Sequence, residues 1–208
     1  MSAGFDPGTG LGPRLRLARE ERQLSVRELA RRIGCSASLI SQIERGVSVP
    51  SVGVLYSLAT ELDSSLDHLL FGADQRRPAA APAAGAAPLP SGPGIVQRAG
   101  GRNIIDLASG VRWERLTPGA DAMTDFLEVI YSPGGHSTDE RRPLRHDGHE
   151  YGLVISGTLQ ANVGFESYEL GPGDSIAFDS STPHEYLNKT GEPVHAIWVV
   201  VHSEPGRA

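Results

Sequence analysis

The sequence predicts a multidomain α plus β chain: an all-α unit of five helices, joined by a Pro/Ala linker to an antiparallel β-barrel. Three observations lead there. Apolar residues recur at helical spacing, between capping residues, through residues 11–72. An uncharged run rich in Pro and Ala follows. After it come short apolar strands separated by Gly and Pro turns. The expected boundaries are a tail over 1–10, the helical unit over 11–72, the linker over 73–94 and the β unit over 95–208.

The helices follow in order. Leu11, Leu15, Ala18 and Leu24 form a first apolar face, with Arg14, Arg16, Arg19 and Arg22 around it. Ser25 is a natural N-cap with Glu28 three residues on, the spacing of a capping box. The second helix buries Val26, Leu29, Ala30 and Ile33 and stops at Gly34. After the short Cys35-Ser36 turn, Ser36 caps a third helix. Its buried face is Leu39, Ile40 and Ile43, and Ser38, Ser41, Gln42 and Arg45 occupy the remaining face. Two short helices joined by a tight Gly-containing turn make a helix-turn-helix, whose second helix is shaped to enter a DNA major groove. Ser51 caps a fourth helix with Leu55, Leu58, Ala59 and Leu62 as its stripe, and Leu66, Leu69, Leu70 and Phe71 form a fifth.

The run L-S-V-R-E-L-A-R-R-I-G-C-S-A-S-L-I-S-Q-I-E-R-G-V-S-V-P-S resembles the lambda-repressor-like, or XRE-type, helix-turn-helix family. The resemblance implies that Ala37, Ser38, Ser41 and Gln42 face base edges, with Ser36 at the start of the same helix. Gln can bond bidentately to adenine and Ser can serve several bases. Arg27 and Arg45 would meet phosphates, which gives salt-sensitive affinity with little sequence discrimination. Glu44 is expected to pair with an Arg of the second helix such as Arg31.

Residues 78–94 hold five Pro, seven Ala and three Gly among 17 positions, with no charge. Such a segment cannot offset its ordering entropy and reads as an extended tether. Signals between the units would then pass through dimer geometry rather than through one rigid interface. Beyond it, strands are expected over 95–99, 103–108, 111–116 and 125–131, with a hairpin about Gly164-Phe165 and a closing strand over 196–201. Short strands at such spacing argue for an antiparallel barrel or sandwich.

The stretch H-D-G-H-E-Y-G-L-V-I-S-G runs from His146 to Gly157, and P-G-D-S-I-A-F-D-S-S-T-P-H-E-Y-L-N closes at Asn188. In an extended strand positions 146, 148 and 150 share a face, which sets His146 beside Glu150. His184 arrives after Pro183, just past the apolar run 176–178. Two His and one Glu on or beside strands suit a divalent transition metal, Zn, Fe, Ni or Mn, and the residues do not choose among them. The segment over roughly 104–202 resembles a cupin. His146, Glu150 and Gly157 match the second His, the Glu and the Gly of its first motif, and Leu144 stands where the first His is expected. Gly171-Pro172-Gly173-Asp174, Pro183-His184 and Asn188 match the second motif. Cupins with other domains attached also use the barrel mouth for organic ligands, so metal and small-molecule effector both stand. His149 would face away from Glu150. His136, in a Gly-rich loop, is a substitute for the missing ligand. Tyr151, Phe178, Tyr186 and Trp198 are candidates to line the pocket, or simply core.

Composition narrows the classes. The single Cys35 rules out an internal disulfide and fits a cytoplasmic setting. No apolar run approaches a membrane span, and the first ten residues lack the basic start and apolar core of a signal peptide. The net charge of −6 divides unevenly, with eight Arg against four Glu over 14–45 and nine Lys and Arg against sixteen Asp and Glu from 78 onward. Different partners for the two parts follow. The sequence therefore supports a homodimeric DNA-binding transcription regulator whose cupin senses an effector or a metal. The competing reading is a mononuclear non-haem iron oxygenase or epoxidase using His146, Glu150 and His184.

Overall fold

The computed structural model of the chain describes residues 10–71, 94–119, 121, 123–138 and 143–202. The expected tail up to residue 9 and the expected linker up to residue 93 lie outside the described residues. Five helices come first: α1 (Leu11–Glu21), α2 (Val26–Ile33), α3 (Ala37–Glu44), α4 (Val52–Glu61) and α5 (Leu66–Phe71). The caps are side chains. Ser25, Ser36 and Ser51 accept the amides of Glu28, Leu39 and Val54 at 3.1, 3.1 and 3.3 Å. Only the serine half of the capping box forms, because the Glu28 carboxylate turns to Arg31 and Arg32, both at 2.7 Å. Charge-assisted bonds to two guanidiniums outweigh one to a neutral amide.

Leu15, Leu29, Ile40, Leu55 and Leu58 are fully buried and fill the centre of the α unit. Beside them sits an ion pair that differs from the expected one. Glu44 is held by Arg19 of α1, through Nε at 2.6 Å and Nη2 at 3.0 Å, and not by Arg31. Arg31 is already engaged by Glu28 on the exposed face. Arg19 is buried where α1 meets α3 and has to find a counter-charge there.

The β unit has nine strands: β1 (Ile104–Leu107), β2 (Val111–Arg115), β3 (Thr124–Tyr131), β4 (His149–Ser156), β5 (Leu159–Val163), β6 (Glu166–Leu170), β7 (Ser175–Asp179), β8 (His184–Leu187) and β9 (Val194–Val201). They form two antiparallel sheets, β1-β2-β3-β9-β4-β7 and β6-β5-β8, which fit a jelly roll. The strand expected over 95–99 is absent. Gly101 N bonds back to Arg98 O at 2.9 Å and closes a 3-10 turn, where the paired glycines 100 and 101 offer no side chain to pack. β9 begins two residues earlier than expected and pairs with both β3 and β4, which makes it central to the larger sheet.

The two units touch, against the expectation of a merely tethered pair. Ala108 N donates to Pro50 O at 3.3 Å. Tyr56 packs edge-on to Trp113 at 6.0 Å. Both faces of α4 are therefore covered: Leu55, Leu58 and Ala59 turn to the helical core, Val52 and Tyr56 to the β unit. No helix among the described residues is long and apolar enough to cross a membrane.

Removing one partner of the Arg19–Glu44 pair strands a buried charge. Glu44→Ala is expected to cost about 3 kcal/mol, and the Arg19→Ala/Glu44→Ala double variant less than the sum of the singles. Urea unfolding followed by circular dichroism checks both.

Candidate functional site

The first surface is the outer side of α3. Ser36, Ser38 and Arg45 are exposed, and Ala37, Ser41 and Gln42 half-buried. Arg45 Nη1 donates to Ser41 Oγ at 2.7 Å, which draws the two into one polar group a helical turn long. The backbone carbonyl of Gln42 accepts the Val47 amide at 2.9 Å, while its side-chain amide has no partner among the described residues. Arg27, exposed on α2, also makes no ion pair among them. Val47 stands just past α3 with 72% of its surface exposed. Sequence reading passed over it; an apolar residue beside an array of Ser and Gln was the available signal.

The second site lies inside the β unit. Glu150 sits on the inward face of β4, while its neighbours His149 and Tyr151 face solvent. His184 opens β8. His146 does not continue β4 as the sequence suggested. Residues 144–148 run as a separate segment zipped to the stretch before β8, with Leu144 and His184 exchanging bonds at 2.8 and 3.0 Å and His146 N donating to Ser180 O at 3.1 Å. Gly148 makes the bend into β4. Its φ of +114° and the Val201 carbonyl beside it leave no room for a Cβ. The bend brings His146 Nε2 to 2.6 Å from Glu150 Oε1, with His184 Nε2 at 3.0 Å from the same oxygen. Tyr186 Oη donates to Glu150 Oε2 at 2.6 Å. All three ligand atoms lie within 4.8 Å of one another, and all three residues are buried.

A cavity of about 20 Å³ adjoins Glu150, roofed by Val52 and Tyr56 of α4 and walled by Trp113, Leu144, Tyr186 and Trp198 among others. That is room for roughly one water molecule. Leu144, at the position of the missing histidine, is an apolar wall against Gly53 of α4. His136 points its Nδ1 at the Thr138 carbonyl and does not join the cluster.

A helix-turn-helix family model matches residues 15–69 and a cupin domain model matches residues 127–200. The HTH-type transcriptional regulator PuuR of Escherichia coli is 27% identical over 185 residues, 88% of this chain and 90% of that one. The uncharacterized HTH-type transcriptional regulator y4dL of Sinorhizobium fredii is 51% identical over 49 residues, 24% of this chain and 25% of that one. The crystal structure of an HTH_3 family transcriptional regulator from Vibrio cholerae superposes with a TM-score of 0.66 at 21% identity, covering 96% of this chain and 98% of that one. The chain is an XRE-type helix-turn-helix transcriptional regulator with a cupin domain. Its α unit is thus the DNA-binding head.

Within the regulator's cupin domain the cluster carries a specific charge arrangement. Burial alone would raise the Glu150 carboxyl, but the hydrogen bond from His146 and the nearness of His184 hold it down to about 2. The hydroxyls of Tyr56, Tyr131 and Tyr186 are pushed well above the usual phenol range, first by burial and then by the Glu150 charge. They stay neutral, and Tyr186 remains a donor. His184 supplies the test of metal fit. Its Nδ1 meets the Thr182 carbonyl at 2.8 Å, which makes that nitrogen the N–H and turns the Nε2 lone pair toward Glu150. Nε2 is buried with no hydrogen-bond partner in that tautomer. A lone pair facing a carboxylate oxygen at 3.0 Å needs a cation between them, a proton or a metal ion.

Of the pocket candidates, Tyr186 and Trp198 line the cavity, Phe178 packs edge-on to His184 at 5.0 Å outside it, and Tyr151 lies on the outer face of the sheet. Gly152 is bare because the Trp198 ring lies where a Cβ would go. Asn188, the end of the second motif, is structural, donating to the carbonyls of Tyr131 and Glu192 at 2.9 and 2.8 Å. Tyr56 was missed, though its signal was present: α4 is apolar all round, with Glu61 its only charged residue. Such a helix is covered on every side.

Tyr186→Phe leaves one buried oxygen of Glu150 unsatisfied. The expected loss is about 2 kcal/mol of stability, read by urea unfolding with tryptophan fluorescence as the probe.

Proposed function

We propose that the regulator is a one-component switch, in which the head binds an operator duplex as a homodimer while the cupin domain senses a divalent metal or a small molecule at the His146–Glu150–His184 cluster. The observation that carries this reading is the buried cluster, with an unsatisfied Nε2 on His184, in the same chain as an α3 face that presents Ser38, Gln42 and the Arg45–Ser41 pair. DNA binding places its work in the cytoplasm. Ala37, Ser38, Ser41 and Gln42 would read bases, Ser36 would meet the backbone at the start of α3, and Val47 suits a thymine methyl. Arg27 and Arg45 would neutralise phosphates.

Metal would be held by His146 Nε2, Glu150 and His184 Nε2. When bound it would supply positive charge between a carboxylate and two imidazoles, and so fix three side chains that otherwise depend on protons. The same donor set suits non-haem iron chemistry. Sensing is the better reading because the relative matched along most of this chain, PuuR, is a transcriptional regulator.

The homodimer reading is supported by the outer face of the larger sheet. Phe126, Tyr151, Leu153, Ile155 and Val201 are exposed there, and Tyr151, Val199 and Phe126 lie in one cross-strand row. A flat apolar face of this kind on a monomer marks an interaction surface. Two heads joined through it would present their α3 helices to half-sites ~34 Å apart.

Three measurements test this. In anisotropy titrations against DNA from upstream of the regulator's own coding region, Gln42→Ala should lose about 1–3 kcal/mol of discrimination at one base position. Arg27→Ala should weaken all duplexes alike and lower the salt slope by about 1. Elemental analysis of the purified chain should find stoichiometric divalent metal that falls to background in His184→Ala and Glu150→Gln; unchanged metal in His184→Ala removes that residue from the centre. Light scattering should give a dimer for the wild type and a monomer for Leu153→Asp.

A further inference from the structure

His146 is the one member of the cluster that no strand carries. Glu150 is fixed by β4 and His184 by β8, whereas His146 belongs to the segment before β4. Its ring is held at Nε2 by Glu150, and its Nδ1 is a long 3.3 Å from the Asp147 carbonyl. What sets the plane of the ring is Tyr56. The phenol lies parallel to the imidazole, with centroids 4.2 Å apart and planes 7° from each other. His184 meets the imidazole edge-on at 5.3 Å. A residue of the DNA-binding head is thus in face-to-face contact with a candidate metal ligand of the cupin domain.

We propose that Tyr56 is a positioning residue for the metal centre, and that metal ligation at His146 is thermodynamically linked to the seating of α4 on the cupin domain. The inference rests on the metal reading above and extends it to the head. A metal bonded to His146 Nε2 requires one ring plane, and the stacked Tyr56 enforces that plane. Whatever fixes the ring then favours the seated helix, and the seated helix favours ligation, by the same factor. α4 shares its other face with the head's core, where Leu55 and Leu58 are buried in the same cluster as Leu29 and Ile40; it packs there on α2, and α2 packs on α3. A seated α4 therefore fixes the orientation of the α3 reading face relative to the cupin domain, and so to a dimer partner.

The test uses the full-length chain with Zn(II) as the probe, comparing wild type, Tyr56→Phe and Tyr56→Leu. Phe keeps the ring face, and Leu keeps apolar bulk without a ring. Zn(II) affinity is measured by competition with a chromophoric chelator, and amide hydrogen exchange over residues 52–61 is followed with and without Zn(II). Tyr56→Phe is expected to match the wild type. Tyr56→Leu should bind Zn(II) about tenfold more weakly, as for other side chains that orient metal-bound histidines. Zn(II) should slow exchange in α4 of the wild type and Tyr56→Phe, and not in Tyr56→Leu. Equal affinity in Tyr56→Leu, or α4 exchange indifferent to Zn(II) in a wild-type chain that binds it, overturns the linkage and leaves the metal centre standing. A wild-type chain that takes up no Zn(II) overturns the centre and the linkage together. The wild-type exchange measurement decides the matter even if Tyr56→Leu is too unstable to purify.

Discussion

A carboxylate at the bottom of an apolar cup is the constraint on which the cupin domain depends. Glu150 is 3% exposed and charged, and an ion removed from water without partners costs several kcal/mol. Its partners are His146, His184 and Tyr186, drawn from two separate stretches of chain. Bringing them together requires the 144–148 segment to zip onto the entrance of β8, and the two sheets to close face to face around the carboxylate. The apolar wall of Trp113, Leu144 and Trp198 leaves room there for about one water, so the polar contacts inside are little screened by solvent. The same burial makes His184 Nε2, which has no hydrogen-bond partner, conspicuous.

From that cluster the chain of contact leads out of the cupin domain through His146 to Tyr56. The regulator is modular in sequence, and its modules share a wall in space. α4 is the shared element, contributing to the core of the head with one face and to the roof of the cupin cavity with the other. The head also holds buried residues of its own, Leu15, Leu29 and Ile40 among them, and its own Arg19–Glu44 pair. His146 touches α4, α4 packs on α2, and α2 packs on the reading helix α3, which joins the cluster to the outer face of the head by a short run of contacts.

Much of this was legible from residue order. Capping serines at 25, 36 and 51 and the apolar spacing between them marked three helices within a residue of their observed starts, because capping and amphipathic burial are local in sequence. The strands from 103 onward were legible for the same reason, each being bounded by Gly or Pro turns. The misreadings share a cause. Glu44 was assigned to Arg31, though Arg19 is the arginine buried against it. His146 was placed on a strand that Gly148 in fact bends away. An early strand was read over 95–99, where a glycine pair closes a turn. In each case the pattern was read without the contact or glycine that redirects it: Arg19 from α1, Gly148 with the Val201 carbonyl behind it, and the glycine pair at 100 and 101.

By itself, then, the sequence determined two compact units of different secondary structure, the caps and periodicities that build them, and a His, Glu and His set of the right chemistry for a cation. These depend on residues near one another along the chain, whose preferences act before any long-range contact forms. Tertiary structure alone decided that the two histidines converge on one oxygen of the glutamate, that Leu144 stands as an apolar wall where a further histidine was expected, and that a tyrosine from the head lies flat against His146. Those placements were set by the 144–148 segment zipping onto the entrance of β8 and by α4 packing against the β unit.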